Sequence, residues 1–218
     1  MRYNHSIERL VDSGRAQGMT RQGMTERRAE REVQLLETAT HLFKEKGYHN
    51  TSMQDLADAL GLQKGSLYYY IESKEELLRR LLEQATSFLA TQVDDIHASD
   101  LPPPEKLRWA LQAYAVAVME HLDLVWVYLH EYRNLPPQHL EQALAVSKDY
   151  ERVLTQIVED GTVSGDFRPV SARMAVFGLL GMVNWTHQWF SAQGLFSSQE
   201  VAAILADLAL HGLLKSEA

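Results

Sequence analysis

Apolar residues recur at three- and four-residue steps along most of this chain of 218 residues, from Thr25 almost to the C-terminus. No segment shows the sustained alternation of apolar and polar residues that is typical of strands. Glycine and proline interrupt the pattern at intervals and divide the chain into successive helices. Because 45% of the residues are hydrophobic, the chain can build a sizeable core. We therefore predict an all-α protein of about nine helices.

The composition excludes several kinds of site. The chain contains no cysteine, which excludes disulfides, thiolate metal sites and cysteine nucleophiles. Its nine histidines include no pair at ligand spacing on one helix face, so a metal site has no support. No uncharged apolar run of about 18 residues and no secretory signal pattern is present. We expect a cytoplasmic protein without cofactor, metal or membrane contact.

Charge is distributed unevenly along the chain. The overall net charge of −8 argues against a nucleic-acid partner for the protein as a whole. Residues 1–80, however, carry 13 Lys and Arg against 12 Asp and Glu, a net charge of +1. Residues 81–218 carry 8 against 17, a net charge of −9. Only the first part is therefore expected to contact a polyanion.

The helical pattern divides the chain into three parts. Residues 1–24 lack an apolar stripe and are interpreted as a flexible N-terminal arm. Residues 25–80 hold three helices, of which the first runs from Thr25 to Gly47. Residues 81–218 form a second helical domain.

The second and third helices have a compact arrangement. Ser52 is a candidate N-cap, with Asp55 three residues later, and Gly61 ends the second helix. The third helix must be short because Ser73 and Glu76 carry the cap signature of the next one. Two short helices joined by a tight turn that contains glycine are typical of a helix-turn-helix.

Six helices are expected from Lys74 onward, over about 74–97, 104–121, 124–135, 137–160, 172–192 and 197–214. Gly161 is predicted to end the fourth of these, and residues 161–171 to form a loop. Small residues at helical repeats permit close packing of the last two helices, namely Gly178, Gly181, Ala203, Ala206, Ala209 and Gly212.

Three consecutive tyrosines follow the turn of the helix-turn-helix. Successive residues of a helix lie about 100° apart, so Tyr68, Tyr69 and Tyr70 cannot all face one core. Leu62, Leu67 and Ile71 are predicted to point inward, whereas the opposite surface is shared by Gln63, Lys64, Gly65, Ser66, Tyr68 and Tyr69. That surface suits DNA, because Lys, Ser and Tyr side chains commonly bond phosphate. The alternative is that the tyrosines are half-buried packing residues with solvated hydroxyls.

The span LFKEKGYHNTSMQDLADALGLQKGSLYYYIESKEEL, residues 42–77, resembles the DNA-binding region of the TetR family of transcriptional regulators. It matches the family's aromatic-x-x-x-G-[Y/F] run and its K-G-[S/T]-[L/I]-Y ending. The resemblance implies an all-α homodimer in which three N-terminal helices read DNA and about six more hold a ligand pocket and the dimer interface. It places the DNA contacts at Ser52, Gln54, Lys64, Gly65, Ser66, Tyr68, Tyr69 and Lys74, with Tyr70 as the packing tyrosine.

The N-terminal arm is longer than in many members of the family. Arg15, Arg21, Arg27 and Arg28 can lie along a neighbouring groove or the phosphate backbone of DNA. The equal alternative is a disordered tail that improves solubility.

The second domain is rich in aromatic residues and methionine, which suit the wall of a ligand cavity. A core and a dimer interface are the alternative use of such side chains. The candidate ligand-binding residues are Trp109, Tyr114, Met119, Trp126, Tyr132, Arg133, Phe177, Met182, Asn184, Trp185 and Trp189. The family resemblance places the dimer interface on the last two helices.

Two segments, LHEYRNLPP and GMVNWTHQWF, are similar to a branch of the family that responds to acyl-CoA thioesters. This similarity would assign Arg133 or Arg108 to the phosphates of coenzyme A. It would assign Asn184, Trp185 and Trp189 to the thioester or pantetheine.

The sequence favours a repressor that binds a palindromic operator as a dimer and is released by a small hydrophobic effector, such as an acyl-CoA. A repressor of an efflux or stress gene that senses another hydrophobic compound is the nearest alternative. An α-helical enzyme that uses Asp123, Glu131 or His187 as acid or base is another, although no nucleophile elbow or phosphate loop is present. A purely structural helical scaffold would leave the Lys-Gly-Ser-Tyr-Tyr surface unexplained.

Overall fold

A computed structural model describes residues 28–215 of the chain. The predicted arm and Thr25 lie outside the described residues. The helices are α1 (28–46), α2 (Met53–Ala59), α3 (Lys64–Leu67), α4 (Lys74–Ala98), α5 (Pro103–Glu120), α6 (Leu122–Glu131), a 3₁₀ turn (Tyr132–Asn134), α7 (Pro137–Ser164), α8 (Ala172–Asn184), α9 (Thr186–Trp189) and α10 (Ser198–Leu213). Within residues 28–215 the only extended pairing is an isolated bridge between Phe167 and Leu214, which confirms the all-α prediction.

Local signals set the helix boundaries of the helix-turn-helix. The Ser52 side chain accepts a hydrogen bond from the Asp55 amide, and the Asp55 carboxylate accepts one from the Ser52 amide, which completes a capping box. Ser73 caps α4 through the Glu76 amide. The helix stops at Gly47 and Gly61 have φ of +82° and +64°, a conformation that glycine adopts without strain.

Gly161 does not end α7, in contrast to the prediction. The helix continues to Ser164 and is capped by Gly165, whose φ is +86°. Gly161 is buried within the last turns of α7, and a Cβ atom there would overlap the ring of Phe167. Glycine at this position therefore makes room for close packing instead of breaking the helix.

The predicted helix over 172–192 is also interrupted. It ends at Asn184, whose carbonyl oxygen is bonded by the His187 ring nitrogen at 2.6 Å. The chain then turns so that Thr186 is fully buried at the start of α9. The helical backbone is thus interrupted at Trp185 and ends at Trp189, three residues before Ala192.

Two clusters of buried side chains form the interior. The first core joins α1, α2 and α3 to the beginning of α4, to α6 and to the start of α7. The second core lies among the rest of α4, α5, α7, α8 and α10. Helix α4 is 25 residues long, roughly 37 Å at 1.5 Å per residue, and belongs to both cores. The predicted domain boundary between residues 80 and 81 falls inside this helix.

Membrane-spanning helices and metal clusters are both absent from residues 28–215. None of the helices there is long and apolar enough to cross a membrane. No group of three or more His, Asp or Glu side chains in this part of the chain is placed to hold a metal ion.

Candidate nucleic-acid interface and effector region

Tyr68 and Tyr69 form an exposed surface, which we name the tyrosine tip, next to buried side chains that hold it in place. Leu67 and Ile71 are buried in the first core, and the Ile71 amide donates to the Leu67 carbonyl at 3.2 Å, which continues the turn beyond α3. Tyr68 and Tyr69 are 47% and 67% exposed, whereas Tyr70 is half-buried against the first core. The rings of Tyr69 and Tyr70 meet edge to face at 5.2 Å. Helical geometry thus separates the tyrosines as predicted.

The residues that precede the tyrosines complete one polar surface. Lys64, Gly65 and Ser66 are exposed. A Cβ atom on Gly65 would meet open space, so a partner can approach the backbone closely. Among the ion pairs of residues 28–215, none involves Lys64. A cation, hydroxyl groups and accessible backbone form the donor set that binds phosphate and base edges.

Ser52 and Gln54 on α2 are exposed, but their polar groups are already bonded within the helix. The Ser52 hydroxyl belongs to the capping box, and Gln54 Nε2 donates to Asp58 Oδ1 at 2.7 Å. Hydrogen bonds from Lys46 and Ser52 hold the pKa of Asp55 below its ordinary value. DNA contacts by Ser52 and Gln54 remain predictions that require these bonds to be shared or exchanged.

Lys74 does not present its ammonium as a free phosphate clamp. Its Nζ donates to the carbonyl oxygens of Tyr48 at 2.7 Å and Thr51 at 2.8 Å, and lies 4.3 Å from the centroid of the Tyr48 ring. Burial lowers the pKa of Lys74. The side chain therefore ties the start of α4 to the loop between α1 and α2, and we assign it a positioning role.

Arg28 is the one arginine of the predicted arm contacts that the structure describes. Its guanidinium lies 5.4 Å from the centroid of the Tyr69 ring and pairs with Glu32 at 3.1 Å. Arg28 thus borders the tyrosine tip. The predictions for Arg15, Arg21 and Arg27 fall outside the described residues.

The predicted ligand-binding residues do not share one cavity but lie in three places. The first group packs in or against the second core. In this group the Tyr114 hydroxyl donates to Asn184 Oδ1 at 2.6 Å, and burial raises the pKa of Tyr114. Met119 is buried, and Trp109 and Met182 are partly buried against the same core. The first group therefore includes a hydrogen-bonded polar pair at a largely apolar core.

The second group belongs to the first core. Trp126 and Tyr132 pack against it, and the Trp126 ring stacks on His130 at 4.3 Å. Arg133 lies over the Tyr132 ring, with its Nε donating to the Tyr132 hydroxyl at 3.0 Å. Their place beside the helix-turn-helix makes them packing residues of the junction between the two cores.

The third group lies on an outer face. Phe177 is exposed, and Trp185 and Trp189 are 62% and 52% exposed. Met174, Ile204 and Leu208 extend this apolar face across α8 and α10, where a groove of about 580 Å³ follows the small residues. We name this the α8–α10 face. An apolar face of this kind is typical of a protein interface and coincides with the predicted site of dimerisation.

Two acidic residues of α6 contact α1 and the loop that follows it, and the sequence did not predict these contacts. Asp123 pairs with Lys44 of α1 at 2.6 Å, and Glu131 accepts a hydrogen bond from the Tyr48 amide at 3.1 Å. These contacts join residues about 80 positions apart, so no local pattern signals them. The enzyme hypothesis used Asp123 and Glu131 as acid or base, but both carboxylates are engaged in joining α6 to the helix-turn-helix.

Comparison with known proteins agrees with this architecture. The family model described as "Tetracyclin repressor-like, C-terminal domain" matches residues 100–213, and that described as "Bacterial regulatory proteins, tetR family" matches residues 35–81. The chain belongs to the TetR family. Its class is therefore DNA-binding transcriptional regulator and not enzyme.

Similar proteins align over most of the chain. The transcriptional repressor KstR2 of Mycobacterium tuberculosis is 28% identical over 190 residues, which cover 85% of this chain and 94% of KstR2. Its solved structure, described as a ketosteroid transcriptional regulator, matches with a TM-score of 0.79 at 27% identity, over 85% of this chain and 96% of that one.

Two further solved structures are similar. PfmR, a TetR family regulator from Thermus thermophilus, is 35% identical with a TM-score of 0.74, over 83% of this chain and 99% of PfmR. AibR, solved with isovaleryl coenzyme A and operator DNA, is 29% identical with a TM-score of 0.72, over 84% of this chain and 98% of AibR.

Proposed function

We propose that this protein is a cytoplasmic transcriptional repressor that binds a roughly palindromic operator as a homodimer and is released by a small hydrophobic effector, in particular an acyl-CoA thioester. The observation that carries the DNA-binding part is the exposed surface of Lys64, Gly65, Ser66, Tyr68 and Tyr69, held in place by buried Leu67. In a helix-turn-helix dimer, two such surfaces enter successive major grooves about 34 Å apart.

The α8–α10 face supports the dimer. Its exposed apolar side chains and its groove, lined by Gly178 and Gly212, allow two helices of a second copy to pack closely. A two-fold axis makes such an interface self-complementary, which suits a palindromic operator. On this proposal Phe177, Trp185 and Trp189 contact the partner subunit and not the effector.

The second core is the proposed effector region. Tyr114 and Asn184 place a polar pair within apolar walls, the combination that small-molecule sites use. AibR, a protein of similar fold, was solved with an acyl-CoA and operator DNA, which favours the thioester class. Because α4 extends from this core to the helix-turn-helix, an effector that binds one position of α4 more tightly shifts the population between DNA-binding states.

An electrophoretic mobility shift with the promoter DNA beside the protein's own gene tests the proposal. Wild type and a control variant, Val163→Ala on the exposed surface of α7, should shift the DNA. Tyr68→Ala should bind at least about tenfold more weakly, and isovaleryl-CoA or a longer acyl-CoA should release the wild type. Equal shifts for wild type and Tyr68→Ala would overturn the assigned surface. Release by a different hydrophobic compound alone would overturn the thioester class.

A further inference from the structure

A small cavity lies at the end of the effector region, where α4 ends, α5 begins and the middle of α7 passes. Its volume is about 190 Å³. The walls combine apolar side chains from α4 and α7 with two cations, and the residues that matter here are Ile96, Lys106, Arg152, Ile157 and Asp160. Complete small-molecule sites occupy about 300–1,000 Å³, so this cavity has room for only part of a ligand.

The cations give the cavity an unusual charge for its surroundings. Residues 81–218 carry a net charge of −9 with eight Lys and Arg, and two of those eight, Lys106 and Arg152, line this cavity. Lys106 Nζ donates to the Ser99 carbonyl at 2.7 Å, and Arg152 Nη2 lies 2.6 Å from Asp149. An ammonium has three donors and a guanidinium five, so each retains donors for a ligand.

The acidic residue of the wall does not cancel this charge. Asp160 accepts a hydrogen bond from Gln156 Nε2 at 2.9 Å, and the lining remains net positive by one charge. The arginines assigned from sequence to the phosphates of coenzyme A do not line this cavity. Arg108 pairs with Asp207 at 3.4 Å, and Arg133 stacks on Tyr132.

Gln92 lies one turn of α4 before Ile96, beyond the wall of the cavity, and supplies an independent observation. Only 8% of its surface is exposed, and within the described residues its Oε1 has no hydrogen-bond partner. Positions 88, 92 and 96 lie on one face of α4, and Phe88 packs on Tyr114 with ring centroids 6.0 Å apart. An unpaired buried acceptor is costly, and it commonly marks a place where a ligand or an ordered water completes the bond.

We infer that this cavity binds the phosphate-bearing end of the effector, with Lys106 and Arg152 as its anion contacts, and that Gln92 bonds a polar group of the chain that continues inward between α4 and α7. This inference rests on the proposed function and names the part of the effector that each residue meets. The ligand class is an organic phosphate ester joined to an apolar chain that carries amide or hydroxyl groups.

Calorimetric titration of the full-length protein tests the inference with isovaleryl-CoA and with isovaleryl-pantetheine, which lacks the nucleotide phosphates. The double variant Lys106→Gln/Arg152→Gln should bind isovaleryl-CoA at least about tenfold more weakly than wild type, because charge-assisted bonds to phosphate are lost. Both proteins should bind isovaleryl-pantetheine equally. The matched control Lys148→Gln changes a cation of α7 that does not line the cavity and should bind like wild type.

The Gln92→Leu variant separates a ligand contact from a structural role. It removes the unpaired acceptor, so its thermal midpoint without ligand should equal or exceed that of wild type, while both thioesters should bind more weakly. Unchanged affinity of the double variant for isovaleryl-CoA would overturn the anion site and leave the proposed function standing. Unchanged binding by Gln92→Leu would overturn the inner contact. A wild type that binds neither thioester would overturn both this inference and the acyl-CoA class.

Discussion

Exposed aromatic rings occur on two surfaces of the molecule, and their surroundings differ. Tyr68 and Tyr69 stand on a single helical turn, next to Lys64 and other polar groups, whereas Trp185 and Trp189 extend an apolar face across two helices. The first setting suits a hydrated polyanion and the second a second copy of the chain. Exposure of a ring therefore indicates an interface, but the neighbouring side chains indicate the partner.

The two regions also differ in how their surfaces are held. The tyrosine tip depends on Leu67, which is fully buried, while Tyr69 beside it contributes little to the core. Leu67→Ala should lower the free energy of unfolding by about 3–5 kcal/mol, because it removes apolar contacts and leaves a cavity. Urea denaturation checks this, with Tyr69→Ala as the control that should change stability by less than about 1 kcal/mol. Equal effects of the two substitutions would mean that the tip lacks a buried anchor.

In the second core the corresponding sensitive position is Gly161. A methyl group there would overlap the Phe167 ring, so Gly161→Ala should lower the free energy of unfolding by about 1–3 kcal/mol. Val163→Ala is the control, because Val163 is exposed on the same helix and its substitution should change stability by less than about 0.5 kcal/mol. Thermal or urea unfolding of the two variants makes the comparison. A stabilised Gly161→Ala protein would show that this glycine is only a helix defect.

Substitutions of Lys74 and Lys64 test whether each lysine near the tyrosine tip stabilises the fold or binds DNA. Lys74→Met leaves carbonyl groups of the loop between α1 and α2 without a donor and should cost about 1–3 kcal/mol of stability. Lys64→Met should leave stability unchanged, since that side chain is exposed. Unfolding measured by circular dichroism distinguishes them. A Lys74→Met protein as stable as wild type would instead favour the prediction from sequence that the Lys74 ammonium is free to bind phosphate.

The smallest effect concerns the two capping boxes, one in each region. Hydrogen bonds lower the pKa of Asp55 in α2 and of Glu200 in α10. A lowered folded-state pKa contributes stability above the ordinary value of about 4 and loses it as the pH falls through the folded value. Asp55→Asn and Glu200→Gln should therefore lower the unfolding midpoint at pH 7, and this loss should shrink as the pH falls below the ordinary values toward the lowered folded-state values. The unfolding midpoint should change more for Asp55→Asn, because Asp55 has Lys46 as its main hydrogen-bond partner. A difference in midpoint between variant and wild type that does not vary with pH would contradict this.

The sequence predicted the DNA-binding region closely because local signals define it. Ser52, Ser73 and the glycines at 47 and 61 act within a few residues of their own position. The rest of the chain was less predictable. The role of Gly161 depends on the ring of Phe167, six residues later, and the role of α6 depends on contacts with residues about 80 positions away. The aromatic content of residues 81–218 predicted a ligand cavity or an interface. It could not show which rings lie in a core, which line a cavity and which lie on an outer face.

The most direct test of the central claim is the salt dependence of operator binding by wild type, Lys64→Ala and the control Lys148→Ala, measured by fluorescence anisotropy. Each phosphate contact contributes roughly 0.9 to the slope of log affinity against log salt concentration. We predict that Lys64→Ala binds more weakly and that its slope is smaller by about 1.8, one contact for each subunit of the dimer. Lys148→Ala should match wild type. A Lys64→Ala protein with the affinity and slope of wild type would contradict the assignment of this surface to DNA.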